Sequence, residues 1–505
     1  MRPVTVERTN VTLHPDRTRV LLRPFHAMSD QRAITICAEV GALPECEVRV
    51  LLEQMLAEFG ERHLKIREFF RRRFDEVRPY LLTEVKGGEF FRRRSDDVQP
   101  VLVAGESLSE ERELLLGGYF SHEYSLEAAA LFNPSIVPHP DQSGVAPGSL
   151  RFILSLRATG EGHVSSIVFR TGCLDADCNI TLDVPSRYSL EPAPASTATY
   201  NKELFGRKLQ DLGLAGGFCL QVLRTLGDSF ALAELRSGID LALSQLRVPN
   251  LETEAVARRI LILARSNYEV QFAPESRLSE RVLFPATPSQ SNGIEDARFV
   301  PFHNEGGTRT YYATYTAYDG KAIQPQFLET SDFLRFKFVT LSGPGVKNKG
   351  LALFPRKIKG QYAMLGRQDG ENLYVMFSDQ LHFWHDAQLV LKPAFPWEFI
   401  QLGNCGSPIE TEAGWLVLSH GVGAMRKYCI GAFLLDRNDP TKVVGRLREP
   451  LIKPNENERE GYVPNVVYSC GSLLHGRRLL VPYGVSDYAT TFATLPIDEV
   501  LAAME

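Results

Sequence analysis

Cysteine is sparse in this chain, at eight in 505 residues. Cys173 and Cys178 lie close together, but no second pair completes a zinc framework. That argues against a disulfide-stapled scaffold and leaves reduced, mostly buried thiols as the expectation. Long apolar runs are missing: no stretch approaches the ~18 residues of a membrane span, and Met1 to Asn10 has no apolar signal-like segment. A cytoplasmic protein with no membrane partner is expected. A basic surplus is also missing. With 56 Lys+Arg against 61 Asp+Glu the formal charge is -5, so a general nucleic-acid binder, which must neutralise phosphates, is not expected. There is no Gly-x-Ser-x-Gly elbow, no Walker loop and no Gly-x-Gly-x-x-Gly opening a helix. His382-Phe-Trp-His385-Asp386 sits on a strand or turn that splays its imidazoles, so no metal is expected there.

Hydrophobic residues make up 44% and charged residues 23% of the chain, the balance of an ordinary globular protein. Its 39 Gly, 30 Pro and 29 Phe allow large cores joined by many turns. Residues 1–30 read as strand and loop. From Cys46 to about Leu82 apolar residues recur near the helical period, which predicts one long helix or a helix pair with its basic residues outside. The basic runs Arg71–Arg73 and Arg92–Arg94 are read as solvated helix faces. Arg151–Arg157 and Val164–Arg170 flank the turn Thr159-Gly-Glu-Gly and predict a hairpin. Leu232–Leu246 and Thr253–Ser266 carry helical apolar stripes. Beyond residue 294 short strands and turns take over, with a weak repeat. Ser331-Asp-Phe-Leu-Arg-Phe and Ser378-Asp-Gln-Leu-His-Phe share Ser-Asp-x-Leu-x-Phe at an offset of 47 residues, and Leu434-Leu-Asp-Arg-Asn-Asp-Pro is a looser third copy. Propeller blades recur every ~40–50 residues; a sandwich is the rival architecture.

Several segments could carry chemistry. In Ser291-Asn-Gly-Ile-Glu-Asp-Ala-Arg, strand alternation puts Asp296 and Arg298 on one face and Glu295 and Ala297 on the other. Such a pair suits a proton donor or ligand clamp, and equally a structural contact. Lys347-Asn-Lys349-Gly, Phe354-Pro-Arg-Lys357 and Met364-Leu-Gly-Arg367 could converge on an oxyanion, scattered surface charge being the alternative. His420 lies between glycine-rich strands, and Asp487 follows an apolar strand. Trp384, Trp397, Trp415 and Tyr462 could stack on a sugar or pack the core.

The order of these elements resembles glycoside hydrolase family 130, the β-mannoside phosphorylases and β-mannosidases. The matching segments are Gly293-Ile-Glu-Asp-Ala-Arg, Leu353-Phe-Pro-Arg-Lys, Leu365-Gly-Arg367, Gly403-Asn-Cys-Gly-Ser-Pro, Gly414-Trp-Leu-Val-Leu-Ser-His-Gly-Val, Ile430-Gly-Ala-Phe-Leu-Leu-Asp, Glu460-Gly-Tyr-Val-Pro-Asn-Val-Val and Pro482-Tyr-Gly-Val-Ser-Asp. The resemblance implies a mainly β chain with helical additions, a five-bladed β-propeller with its site in the central pocket. On that reading residues 1–115 are an N-terminal strand and helical extension and 116–195 the first blade region. Residues 196–280 are then a helical insertion, and 281–505 the rest of the propeller with the catalytic centre.

The resemblance further implies an inverting β-mannoside phosphorylase giving α-mannose 1-phosphate. It needs no cofactor, with inorganic phosphate as co-substrate and a β-mannoside oligosaccharide as partner; a homo-oligomer is possible. Asp296 matches the general acid, acting through a mannose hydroxyl. Lys349, Arg367, Gln401 and His420 match phosphate-side positions, and Asn133, Arg157, Arg298 and Asp487 the sugar pocket. The chain departs from the family pattern at Gln401, where phosphorylases usually have Lys, at Lys349, where Arg is commoner, and at Ala297, where Pro is usual. An uncharged Gln weakens oxyanion binding, so hydrolysis stays open, with Glu410, Glu458 or Glu460 as possible base. A non-catalytic glycan-binding propeller is the third reading.

Overall fold

The computed structural model describes residues 4–26, 29–81, 108–195, 199–246 and 251–504. The chain is mainly β with helical additions, and its strands fall into successive antiparallel groups. Ala130–Pro138, Leu150–Thr159 and Ser165–Leu174 form the first, including the expected hairpin. Gly293–His303, Arg309–Tyr318, Ile323–Thr330 and Arg335–Thr340 form the second. The two meet where Gly293 lies parallel to Ser165. Gly293 has φ 140°, and a Cβ there would sit 2.9 Å from the Ser165 nitrogen, so only glycine fits.

Ala352–Leu353, Tyr362–Gly366, Leu373–Ser378 and Ala387–Leu391 make a third group. Gln401–Asn404, Gly414–Val422, Tyr428–Leu435 and Val443–Arg446 make a fourth. The fifth combines Val467–Tyr468, Arg478–Val485 and Ala489–Pro496 with Glu7–Leu13 from the other end of the chain.

The sequence repeat has a structural meaning. Ser331-Asp332 lies between Ile323–Thr330 and Arg335–Thr340, Ser378-Asp379 between Leu373–Ser378 and Ala387–Leu391, and Asp436 between Tyr428–Leu435 and Val443–Arg446. All three occupy the same turn, from the third to the fourth strand of a group. At two of them the aspartate builds the turn: Asp332 Oδ1 accepts from the Leu334 and Arg335 amides, and Asp436 Oδ1 from those of Asn438 and Asp439.

The chain divides into two compact units. The first holds residues 1–16, 127–185 and 191–505. It includes Glu7–Leu13, so the amino-terminal 115 residues are not one piece. It also includes four helices, Lys202–Asp211, Gly217–Arg224, Leu232–Ser244 and Leu251–Arg265, which enclose their own core around Phe205, Leu209, Leu235, Ile239 and Ile260. Leu232–Ser244 and Leu251–Arg265 follow the predicted stripes.

The second unit holds residues 17–126 and 186–190. The helical period from Cys46 resolves into a pair, Glu45–Phe59 and Ile66–Leu81. Their basic residues are not all outside. Arg73 is buried, donating to the Phe120 carbonyl and paired with Glu76, because it falls on the apolar face between Phe70 and Phe74. Arg92–Arg94 lies outside the described residues.

All eight cysteines are free thiols, six of them buried. Among the described residues no helix is long and apolar enough to cross a membrane.

In the first unit, Phe169 is fully buried with Phe299, Phe333 and Phe336 ringed around it at 5.8 to 6.2 Å. It ties the first strand group to the second. Phe169→Ala leaves a cavity that these stiff rings cannot close, and should cost about 3–5 kcal/mol. Urea denaturation measures it; a loss below about 1 kcal/mol would show that the two groups do not share this core.

Candidate active site

Asp296 stands at a β-bulge. The ladder pairs Glu295 with Thr316 and resumes with Arg298 opposite Thr314, so Asp296 and Ala297 together face one residue. Asp296 is left-handed, with φ 53°. The bulge cancels the simple alternation expected from sequence. Glu295 and Asp296 now face the same guanidinium: Arg157 donates to Glu295 Oε1 at 2.7 Å and to Asp296 Oδ1 at 3.4 Å.

Asn133 sits at a second bulge, between the pairs Phe132–Arg157 and Ser135–Ser155. Its φ is 50°, and its amide donates to Asp296 Oδ1 at 2.7 Å. Asp487, also with φ 50°, lies in the turn between Arg478–Val485 and Ala489–Pro496. Three polar side chains are thus aimed by backbone that most residues avoid, and Asn and Asp tolerate it best. Arg157 is held from behind, its Nε donating to Ser165 Oγ at 2.9 Å.

Arg298 does not clamp the Asp296 carboxyl as expected. It donates to the Asp296 main-chain oxygen at 3.0 Å and to the Tyr468 hydroxyl at 2.6 Å. Its Nε has no hydrogen-bond partner among the described residues. Tyr468 escaped the sequence reading, although it directly follows the segment Glu460 to Val467 that carried the resemblance.

Arg367 is buried, and its one polar contact among the described residues is His420 Nε2 at 3.4 Å. Its Nε is likewise unpartnered. His420 Nδ1 faces the Asn404 carbonyl at 3.2 Å. A carbonyl only accepts, so Nδ1 carries the proton and Nε2 offers a lone pair. Arg367 and Gln401 (3.3 Å) both donate to that lone pair. Burial, reinforced by Arg367 and Arg298, pushes the His420 pKa well below its ordinary value, which keeps the ring neutral. The ring lies over Gly403, where a Cβ would come within 2.2 Å of its Cε1. This close approach explains the glycine opposite His420 in the strand pair. Lys349, whose amide donates to Asn348 Oδ1 at 2.9 Å, acts electrostatically on both Asp296 and Asp487.

The two aspartates are pushed apart. Burial alone would raise the pKa of Asp296, but Arg157, Arg298, Lys349 and the Asn133 bond override it and bring it to about 2. For Asp487 burial wins: with Asp296 adding repulsion against the pull of Arg157, its pKa rises to about 6.

The other candidates lie elsewhere. Arg356 pairs with Glu410 and Lys357 with Glu305, whereas Lys349 and Arg367 interact electrostatically with Asp296. Glu410 is also bound to Arg437, and Glu458 is held by Arg8 and the Tyr483 hydroxyl. Glu460 is exposed. Trp384 and Trp415 are fully buried with their indole N–H groups on main-chain oxygens, and Trp397 packs over Gly421 and Gly431. Tyr462 is exposed and stacks on His163 at 5.7 Å. His385 is exposed beside Asp386. Among the described residues no group of His, Cys, Asp and Glu is arranged to hold a metal.

Asp296 is thus surrounded by Asn133, Arg157 and Arg298, with Lys349, Asp487 and Arg367 acting on it electrostatically. The family model described as beta-1,4-mannooligosaccharide phosphorylase matches residues 251–505, and the chain belongs to that family, glycoside hydrolase family 130. A 1,2-beta-oligomannan phosphorylase of Thermoanaerobacter sp. is 37% identical over 232 residues, 44% of this chain and 75% of that protein. A beta-1,2-mannobiose phosphorylase of Listeria innocua is 31% identical over 232 residues, 44% of this chain and 63% of that protein. The solved beta-1,2-mannobiose complex of the Listeria innocua enzyme is 22% identical, covers 74% of this chain and 92% of that one, and has a TM-score of 0.44.

Asp487 yields a stability test. Its pKa is higher folded than unfolded, so the folded state is penalised above about pH 6 and the penalty vanishes below about pH 4. Asp487→Asn should therefore gain about 1–2 kcal/mol over the parent at neutral pH, and nothing at pH 4. Denaturant titrations at the two pH values check this; a gain that does not shrink on acidification would contradict it.

Proposed function

We propose that the chain is an inverting β-mannoside phosphorylase built as a five-bladed propeller, the strand Glu7–Leu13 completing the last blade. The observation that carries the reading is the charge around Asp296. Arg298 and Arg367 are both buried, and neither has an ion-pair partner among the described residues. A buried guanidinium without a counter-ion is costly, and a phosphate dianion supplies the missing charge. The named activities of the two relatives agree with this reading.

In the proposed reaction Asn133, Arg157, Arg298 and Asp487 hold the mannosyl unit, and Arg298 adds its charge to the field that draws phosphate. Lys349, Arg367 and Gln401 hold inorganic phosphate as co-substrate, and no cofactor is needed. His420, neutral and accepting, orients Arg367 and Gln401 rather than binding phosphate by charge. A phosphate oxygen attacks the anomeric carbon from the face opposite the glycosidic oxygen. The bond to that oxygen breaks, its electron pair takes the proton delivered by Asp296 through a sugar hydroxyl, and α-mannose 1-phosphate forms.

Asp296 is ionised in the empty site, whereas an acid must carry a proton. Phosphate binding resolves this: its charge offsets Lys349 and Arg367, the pull that lowers the carboxyl weakens, and Asp296 becomes a better proton acceptor once the nucleophile is present. Asp487, whose burial favours its protonated form, is a neighbouring proton source. Hydrolysis would need a free carboxylate to activate water. Glu410 and Glu458 are both locked in arginine pairs, which disfavours that alternative.

The test is incubation of β-1,2- and β-1,4-mannobiose with and without phosphate. Mannose 1-phosphate released only when phosphate is present is expected, and Asp296→Asn should lower the rate by about 10²–10⁴-fold. Equal mannose release in phosphate-free buffer would overturn the reading.

A further inference from the structure

Away from Asp296 the first unit holds a cavity of about 260 Å³ between the helical segment and the strand Arg335–Thr340. One wall is the antiparallel pair of Tyr268–Gln271 with Arg335–Thr340, in which Tyr268 lies opposite Phe338 with the rings parallel at 4.3 Å. The facing wall comes from Thr199–Asn201 and the helix Lys202–Asp211, and His382 lines one side. That helix is fastened in place: Asp211 accepts from the Gly343 amide at 2.9 Å, and Arg207 lies over the Phe383 ring.

The charges are unbalanced. Lys208, Lys337 and His382 line the cavity against a single carboxylate, Glu269, which also contacts Arg335 at 3.5 Å. Lys208 is buried, and its ammonium donates to Asn267 Oδ1 at 3.2 Å, with no carboxylate partner among the described residues. Asn267 cannot turn away, because the same oxygen accepts from the Thr340 amide and its nitrogen donates to the Leu263 carbonyl. His382 Nε2 is buried with no hydrogen-bond partner among the described residues. Ammonium donors and an imidazole nitrogen thus line one half-open cavity.

We propose that this cavity binds a small organic anion, with Lys208, Lys337 and His382 holding its phosphate or carboxylate group and the ring-lined wall covering its carbon body. The volume suits a molecule of one ring. Tyr200, Leu204, Phe205, Phe338 and Val339 supply apolar surface that an inorganic ion would leave uncovered. Burial, with Lys337 adding repulsion, lowers the Lys208 pKa to about 7. Burial, with Lys208 and Lys337, brings His382 to about 3, so its neutral ring can donate from Nε2. Anion binding must therefore draw a proton onto Lys208 as pH rises past 7, and affinity falls on the alkaline side. Of the other titratable groups facing the site, Tyr200 and Tyr268 are pushed upward by burial and stay neutral there; Glu269 and Glu329, which flank Lys337 on the neighbouring strands, oppose the anion, Glu329 less so because burial raises its pKa.

Calorimetric titration with glucose 6-phosphate, benzoate and inorganic phosphate tests this, on protein carrying Arg367→Met so that the Asp296 centre contributes little. At about pH 6 one organic probe should saturate a single site, and inorganic phosphate should bind about tenfold more weakly or worse; the tighter organic probe shows whether the group is phosphate or carboxylate. Adding Lys208→Met or Lys337→Met should weaken binding about tenfold or more, as should raising the pH to about 8.5. Lys337 is exposed, so its variant keeps the test readable where Lys208→Met disturbs folding. Absence of saturable binding by both organic probes, inorganic phosphate binding as tightly as either, or affinity unchanged in both variants would overturn the proposal.

Discussion

Two buried guanidiniums set the terms for this molecule. Arg298 and Arg367 are withdrawn from water with no direct ion pair to a carboxylate among the described residues, and their Nε atoms lack partners there. What holds them is a set of neutral acceptors: the Asp296 main-chain oxygen, the Tyr468 hydroxyl and the imidazole of His420. Such groups fix a guanidinium's direction without cancelling its charge, so the positive field stays available to a ligand. A glutamate in place of Gln401 or His420 would stabilise the empty protein and close the site to anions.

Backbone strain supports the same end. Asn133, Asp296 and Asp487 are all left-handed. Two of them sit at bulges that put one extra residue into a ladder otherwise regular on both sides. The surrounding strands, packed on cores such as that of Phe169, Phe299 and Phe336, make up for local conformations worth of order 1 kcal/mol each. A bulge is also what lets Glu295 and Asp296, adjacent in sequence, meet one arginine.

Much of this was legible in the sequence, for identifiable reasons. The repeat could be read because an aspartate building a turn, as at Asp332 and Asp436, is a local device, and the structure puts all three copies at the same turn. The family motifs led to Asp296 and Arg367 because each lies inside a contiguous segment. Alternation failed at Asp296, since a bulge leaves no mark in a pattern of apolar and polar residues. Helical periodicity found the pair ending at Leu81 but not the burial of Arg73, whose partners Phe120 and Glu76 are set by tertiary packing and side-chain reach. The role of His420 as a neutral acceptor depends on the Asn404 carbonyl, a main-chain atom that no residue type announces.

The claim that an unneutralised cation awaits an anion beside Asp296 is tested most directly by thermal unfolding of the parent and of Arg367→Met, each with and without inorganic phosphate. Removing a buried, unpaired charge should make the variant more stable than the parent in phosphate-free buffer, while the phosphate-induced rise in melting temperature seen for the parent should be lost. An equal rise in both proteins, or a variant less stable than the parent without phosphate, would contradict the account.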